Sequence, residues 1–184
     1  MSTWVWIVIA VAATVVLVLA ALAVWRASRR RNLQQAFGPE YDRTVADAPT
    51  QREAESQLAA RQKRREQFDI RPLDPERRKN FVREWRGTQE RFVDDPAEAV
   101  TQADLLIQVV MRERGYPVDE FEQRAADLSV DHPDVVSNYR AAHGLSVANE
   151  RGRATTEDLR TAMIHYRSLF TELLETEPSE TASR

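Results

Sequence analysis

The sequence predicts an all-α protein: one N-terminal transmembrane helix, then a helical stalk, then a compact helical-bundle domain. Three observations carry that expectation. An unbroken apolar run opens the chain. Glycine is scarce, with five in 184 residues, and Ala, Arg, Glu and Leu, all good helix formers, are abundant. Downstream apolar residues recur every three or four positions, and no stretch alternates as a strand does.

The apolar run spans residues 4–25, WVWIVIAVAATVVLVLAALAVW, relieved only by Thr14. At ~1.5 Å per residue it makes a helix of roughly 30 Å, the thickness of a bilayer's hydrocarbon core. Trp4 and Trp6 stand at one end and Trp25 at the other, where an indole's apolar body and polar N–H suit the membrane–water interface. A cleaved secretion signal is the competing reading. It calls for a basic leader and a shorter apolar core, whereas the run follows Met-Ser-Thr and is longer, although Ala21-Leu22-Ala23 has the form of a cut site. Arg26, Arg29, Arg30 and Arg31 follow the run. The positive-inside rule then places the N-terminus outside and the body in the cytoplasm. The same arginines can rest on anionic head groups. Export of the body is the alternative.

The organisation expected is an anchor over 1–25, a basic charged stalk over 26–71, an all-α domain over 72–175 and a disordered tail over 176–184. After the anchor the helix continues through Leu33 to Phe37, where Gly38-Pro39 ends it. A short helical turn with Tyr41 and Val45 precedes Pro49. The helix from Thr50 shows only a thin apolar stripe, Ala54 and Leu58 and then Phe68, so it reads as exposed on most sides or paired with a partner. Asp74-Pro75 opens the next helix, with Phe81, Val82, Trp85 and Phe92 inward. Asp95-Pro96-Ala97-Glu98 opens another. Its dense apolar residues, from Val100 to Met111, mark it as the central helix, ending at Gly115 with Pro117 beyond. Asp119–Leu128 reads as a short helix with Phe121, Ala125 and Leu128 inward. A helix from His132-Pro133 to Gly144 follows, and then an exposed loop, ANERGR. Thr155-Thr156-Glu157-Asp158 caps the last helix, whose apolar stripe runs from Leu159 to Leu174 with a period of 3.6.

Net charge is −3, but unevenly spread. Residues 26–92 carry a net +6 and residues 93–184 a net −9. An anionic membrane surface attracts the first and repels the second. The absence of cysteine removes disulfides, thiolate metal sites and cysteine nucleophiles. His132 and His143 are expected on one helix, about 16 Å apart and too far to share a metal. His165 has no acidic neighbour one turn away. Zinc spacings, nucleotide-binding glycine loops and nucleophile-elbow motifs are missing. Acidic pairs such as Asp94-Asp95 and Glu157-Asp158 are explained by helix capping. No enzyme, metal or cofactor is therefore expected. The candidate basic surface is Arg64, Arg65, Arg77, Arg78, Lys79, Arg83 and Arg86, preceded by Arg61 and Lys63. It reads as a solvated face, or as pairing with the acidic half, rather than as a nucleic-acid surface, because it has no interleaved exposed aromatics.

Five stretches, FGPEYDR (Phe37–Arg43), RPLDPERR (Arg71–Arg78), RFVDDPAEAVTQADLLI (Arg91–Ile107), RGYP (Arg114–Pro117) and LSVDHPDVVSNYRAAH (Leu128–His143), resemble a family of bacterial proteins with one N-terminal membrane helix and a helical body. The resemblance spans nearly the whole chain, with RFVDDP and RGYP its most specific parts. It implies a bacterial single-pass membrane protein and no particular activity. The function expected is a non-catalytic adaptor or scaffold that binds another protein. The alternatives are an anionic-lipid or nucleic-acid binder acting through residues 61–91, and an exported envelope protein. The partner and the oligomeric state are not encoded in any motif.

Overall fold

The computed structural model describes residues 3–175; the tail expected over 176–184 lies outside the described residues. Eight helices and no strand are found among the described residues: α1 (Thr3–Phe37), α2 (Pro39–Asp47), α3 (Gln51–Arg65), α4 (Pro75–Asp94), α5 (Pro96–Glu113), α6 (Phe121–Asp131), α7 (Val136–Glu150) and α8 (Thr156–Glu175). The protein is thus all-α, with one N-terminal apolar helix followed by a helical bundle.

The helix starts follow from short polar side chains that satisfy the unpaired N–H groups of a first turn. Thr50 Oγ1 accepts from the Glu53 N–H. Asp74 Oδ1 accepts from the N–H groups of Glu76 and Arg77, and Asp95 Oδ1 from that of Glu98. Thr155 and Asp158 exchange bonds in both directions, a capping box with Asp in the usual Glu position. The backbone N–H of Thr155, together with its hydroxyl, donates to the Asp158 carboxylate and holds its pKa below the ordinary value.

Two packed clusters organise the chain. The larger joins α4, α5, α6, α7 and α8 around Phe81, Trp85, Ile107, Val110, Tyr139, Tyr166 and Phe170. In it the Trp85 and Phe170 rings stack with centroids 4.7 Å apart. Helix α5 is central, as its wide apolar face requires, and touches α4, α7 and α8. Leu105 and Val109 nevertheless face outward, because three neighbours leave one stripe of α5 uncovered. Val82 and Phe92, expected inward on α4, are half-buried, while Thr88 completes the buried stripe with Phe81 and Trp85.

The second cluster contains Leu33, Phe37, Tyr41 and Leu58, with Val45 and Val130 against it. It divides the segment expected as a stalk. Residues 12–32 of α1 are exposed, but from Leu33 onward the chain folds back. Helix α3 packs on α1, α2 and α6. Its thin stripe suffices because Ala54 and Leu58 are both fully buried.

The α6–α7 region corrects several expectations. Helix α6 runs past Leu128 to Asp131, and His132 closes it, its N–H bonding to the Leu128 carbonyl at 2.9 Å. Helix α7 starts at Val136 instead of at His132-Pro133, because the residue before a proline is driven out of the helical region; His132 has φ −133°, ψ 56°. Consequently His132 and His143 lie on different elements. Helix α7 also continues through Gly144 to Glu150. A mid-helix glycine costs only ~1 kcal/mol, and burial of Ser146 with packing of Leu145 on the large core offsets it. Asn149, expected in a loop, is in the last turn and donates to the Ala97 carbonyl at 3.1 Å.

The RGYP stretch closes α5 and pins three other segments. Gly115 has φ +93°, and the Tyr116 N–H returns to the Met111 carbonyl at 2.9 Å. The buried Arg114 donates from Nη1 to the Leu173 carbonyl at 2.8 Å, and its own carbonyl accepts from the Arg71 N–H at 2.9 Å. Tyr116 donates to Asp131 at 2.6 Å. A Cβ at position 115 would lie 2.2 Å from the Asp69 carbonyl oxygen. Gly115→Ala is therefore expected to destabilise the fold by about 2 kcal/mol or more, through steric overlap added to left-handed strain. Thermal melting followed by circular dichroism checks it, with a fall of roughly 5 °C or more expected.

Candidate interaction site

The site begins with a buried acid. Glu40 follows Gly38 (φ +45°) and Pro39, which together end α1 and start α2. Its side chain is almost fully buried. Oε1 accepts from Arg61 at 2.9 Å, Arg140 at 3.1 Å and Arg43 at 3.3 Å. Arg61 is on α3 and Arg140 on α7, so one carboxylate joins the foot of α1 to the body. Arg140 also reaches Glu122 at 2.7 Å. Beside this cluster Tyr41 donates to Glu55 at 3.0 Å, and Gln51 donates to both Tyr41 and Glu55. Burial, with the Glu55 carboxylate beside it, raises the Tyr41 pKa.

The candidate basic surface divides in two. The α3 members are turned inward onto acids of the second half of the chain. Arg64 Nε donates to the fully buried Asp127 at 2.9 Å, and its Nη2 to Asp119 at 2.9 Å. Arg65 is bonded to Asp131, the same acid that Tyr116 reaches. Arg77 pairs with Glu113 at 3.0 Å and lies 5.2 Å over the Phe81 ring.

The α4 members Arg78, Lys79, Arg83 and Arg86 line a groove of about 900 Å³ with Val82. Its apolar lining comes from Pro72 and Leu73 before α4, and from Leu173 and Leu174 at the end of α8. Lys79 pairs with Glu76 at 2.7 Å and Arg83 bonds to Asn80, whereas Arg78 and Arg86 have no ion pair among the described residues.

The membrane-interface set is a third region. Trp4 and Trp25 are exposed on α1, and Trp6 also falls within α1. Arg26, Arg29, Arg30 and Arg31 line a cavity of about 1,050 Å³ at the foot of the apolar helix. Its opposite wall, Gln51, Arg52 and Glu55 of α3, was not foreseen, because the sequence does not show that α3 folds back beside α1. Arg29 stacks 5.6 Å from the Trp25 ring centroid.

His132 is buried, and His143 and His165 are half-buried. His132 Nδ1 lies 3.0 Å from Glu172; burial lowers its pKa, against the opposing pull of that acid. The His143 ring stacks on Phe121 with centroids 3.6 Å apart, and burial lowers its pKa too. His165 Nδ1 lies 3.1 Å from Asn138 Oδ1. Among the described residues no group of three or more His, Asp or Glu is placed to hold a metal ion.

No family model, no curated protein and no solved structure matches this chain.

The Glu40 cluster carries a direct expectation. Glu40→Gln leaves Arg61 and Arg140 without their shared counter-charge and is expected to cost about 3 kcal/mol, as when one partner of a buried pair is removed. Asp42→Asn, on the exposed face of the same helix, is expected to change stability by less than about 0.5 kcal/mol. Denaturant unfolding of both variants in micelles compares them.

Proposed function

We propose that this protein is a single-pass, membrane-anchored interaction module without catalytic activity of its own, in the bacterial inner membrane, with the body on the cytoplasmic side. The carrying observation is the groove on α4. An apolar lining of Leu73, Val82, Leu173 and Leu174 beneath a row of Arg78, Lys79, Arg83 and Arg86 is built to receive an amphipathic segment with an acidic edge. Apolar anchors fill such a groove and charge sets the register. Arg61, Arg64 and Arg65 are engaged in internal ion pairs, so the groove favours a protein partner over a nucleic acid running along residues 61–91. For the anchor, the support is that Ala12–Phe37 is long and apolar enough to cross a membrane and that its most apolar window is unburied. A signal sequence passes the same test, and the four arginines that follow argue for the anchor and its direction.

Two measurements check these statements. A photoreactive residue at Val82 is expected to give one discrete adduct in cells whose crosslinked peptide is acidic and amphipathic. Arg83→Glu with Arg86→Glu is expected to reduce that adduct at least tenfold. An adduct that ignores the charge reversal, or that maps to residues 176–184 or to a second copy of this chain, overturns the partner assignment. For topology, a cysteine at the exposed Arg151, just past α7, is expected to react with a membrane-impermeant maleimide only after lysis. Labelling once only the outer envelope is opened reverses the orientation, and loss of the first residues from the mature mass identifies a cleaved signal.

A further inference from the structure

The cavity at the foot of α1 gathers five exposed arginines from two helices. Arg26, Arg29, Arg30 and Arg31 line one wall and Arg52 the other. None of the five has an ion pair among the described residues. This is unlike Arg43, Arg61, Arg64, Arg65 and Arg140, all of which are paired. Arg52 also lies in the first turn of α3, where the helix dipole is positive and a cation is disfavoured. Glu55 is the only acid lining the cavity among the described residues, and it is engaged by Tyr41 and Gln51. Like charges at short range raise one another's energy, and an anion bound between them removes that cost. Guanidinium groups suit phosphate oxygens because their N–H donors form a planar fork.

The position identifies the source of the phosphate. Trp25 stands at the rim, at the last residue of the apolar run, and Arg29 stacks on it. That is the depth of a lipid head group when α1 spans the bilayer. We infer that the structure assigns the cavity between α1 and the N-terminal turn of α3 as a binding site for the phosphate head group of an acidic phospholipid. Arg30 and Arg52 close on it from opposite walls. The inference rests on the reading of α1 as an anchor. It differs from general attraction of the juxtamembrane arginines to a charged surface, because α3 contributes a wall and a residue 21 positions beyond the nearest of those arginines.

The test uses the full chain and separates the two readings. Co-flotation with vesicles of pure phosphatidylcholine reports the anchor. Native mass spectrometry of the chain released from nanodiscs containing phosphatidylcholine and phosphatidylglycerol reports the site. The expected result is flotation with the phosphatidylcholine vesicles and retention of phosphatidylglycerol at least tenfold over its share of the nanodisc. Arg52→Gln, a change at an exposed residue without an ion pair, is expected to reduce that enrichment at least fivefold, and Arg30→Gln likewise. Arg112→Gln with Arg153→Gln removes two charges at exposed positions outside both surfaces and is expected to leave it unchanged. Flotation without enrichment overturns the site and leaves the anchor standing, whereas failure to float overturns the anchor. Equal loss in the Arg112/Arg153 variant assigns the preference to the overall field and overturns the site. Saturation by millimolar inorganic phosphate with no lipid enrichment overturns the lipid as its source.

Discussion

A buried carboxylate with three arginines around it is the constraint on which the rest of this fold depends. Glu40 is out of water, and a lone carboxylate there is strongly unfavourable. Its position therefore requires Arg61 of α3 and Arg140 of α7 to arrive at the same point, with Arg43 one turn away. Gly38 and Pro39 make this possible by ending the apolar helix and turning the chain so that the next residue points inward. The apolar helix is thereby set against the body at a defined angle and is not left on a free tether. The small cluster of Leu33, Phe37, Tyr41 and Leu58 fills the space around that junction.

Part of the uneven charge along the chain is settled inside the molecule. Arginines of α3 meet acids in and just before α6 in pairs separated by more than fifty residues, among them Arg64 with Asp119 and Asp127 and Arg65 with Asp131. Among the described residues that pairing leaves Arg78 and Arg86 in the α4 groove, and Arg26, Arg29, Arg30, Arg31 and Arg52 at the foot of α1, without an ion pair. Unneutralised charge at a concave surface is where a ligand or partner contributes most, because it supplies the missing counter-ion as it binds. The two surfaces differ in kind. The α4 groove adds apolar lining to its charge, and the foot of α1 adds an interfacial tryptophan.

Much of the local structure was legible in the residues. The starts of α3, α4, α5 and α8 follow from Thr50, Asp74, Asp95 and Thr155, because a cap satisfies N–H groups two or three residues away and needs no knowledge of the rest of the fold. The α8 stripe and the central position of α5 follow from apolar spacing for the same reason. The α6–α7 junction misled. His132-Pro133 looks like a helix start and is a helix end, and Gly144 looks like a stop and lies mid-helix, because packing around Leu145 and Ser146 outweighs a glycine's local penalty. Of the candidate site, Trp25 and the arginines after it were evident from the abrupt change in polarity, whereas Gln51, Arg52 and Glu55 opposite them were not.

The sequence alone determined the all-α class, the apolar helix at one end and the position of most helix boundaries. Each of these is decided within a few residues by backbone hydrogen bonding, capping and hydrophobic period. Only the tertiary structure decided which arginines are spent internally and which remain open. It also decided that Glu40 is a junction, that α3 folds back along α1, and that Gly115 lies against the Asp69 carbonyl. These outcomes depend on segments as far apart as Glu40 and Arg140, and a charged side chain carries no local mark of the partner it will find. Its neighbours in sequence set only the face of the helix on which it stands; the packing of the helices selects what it meets.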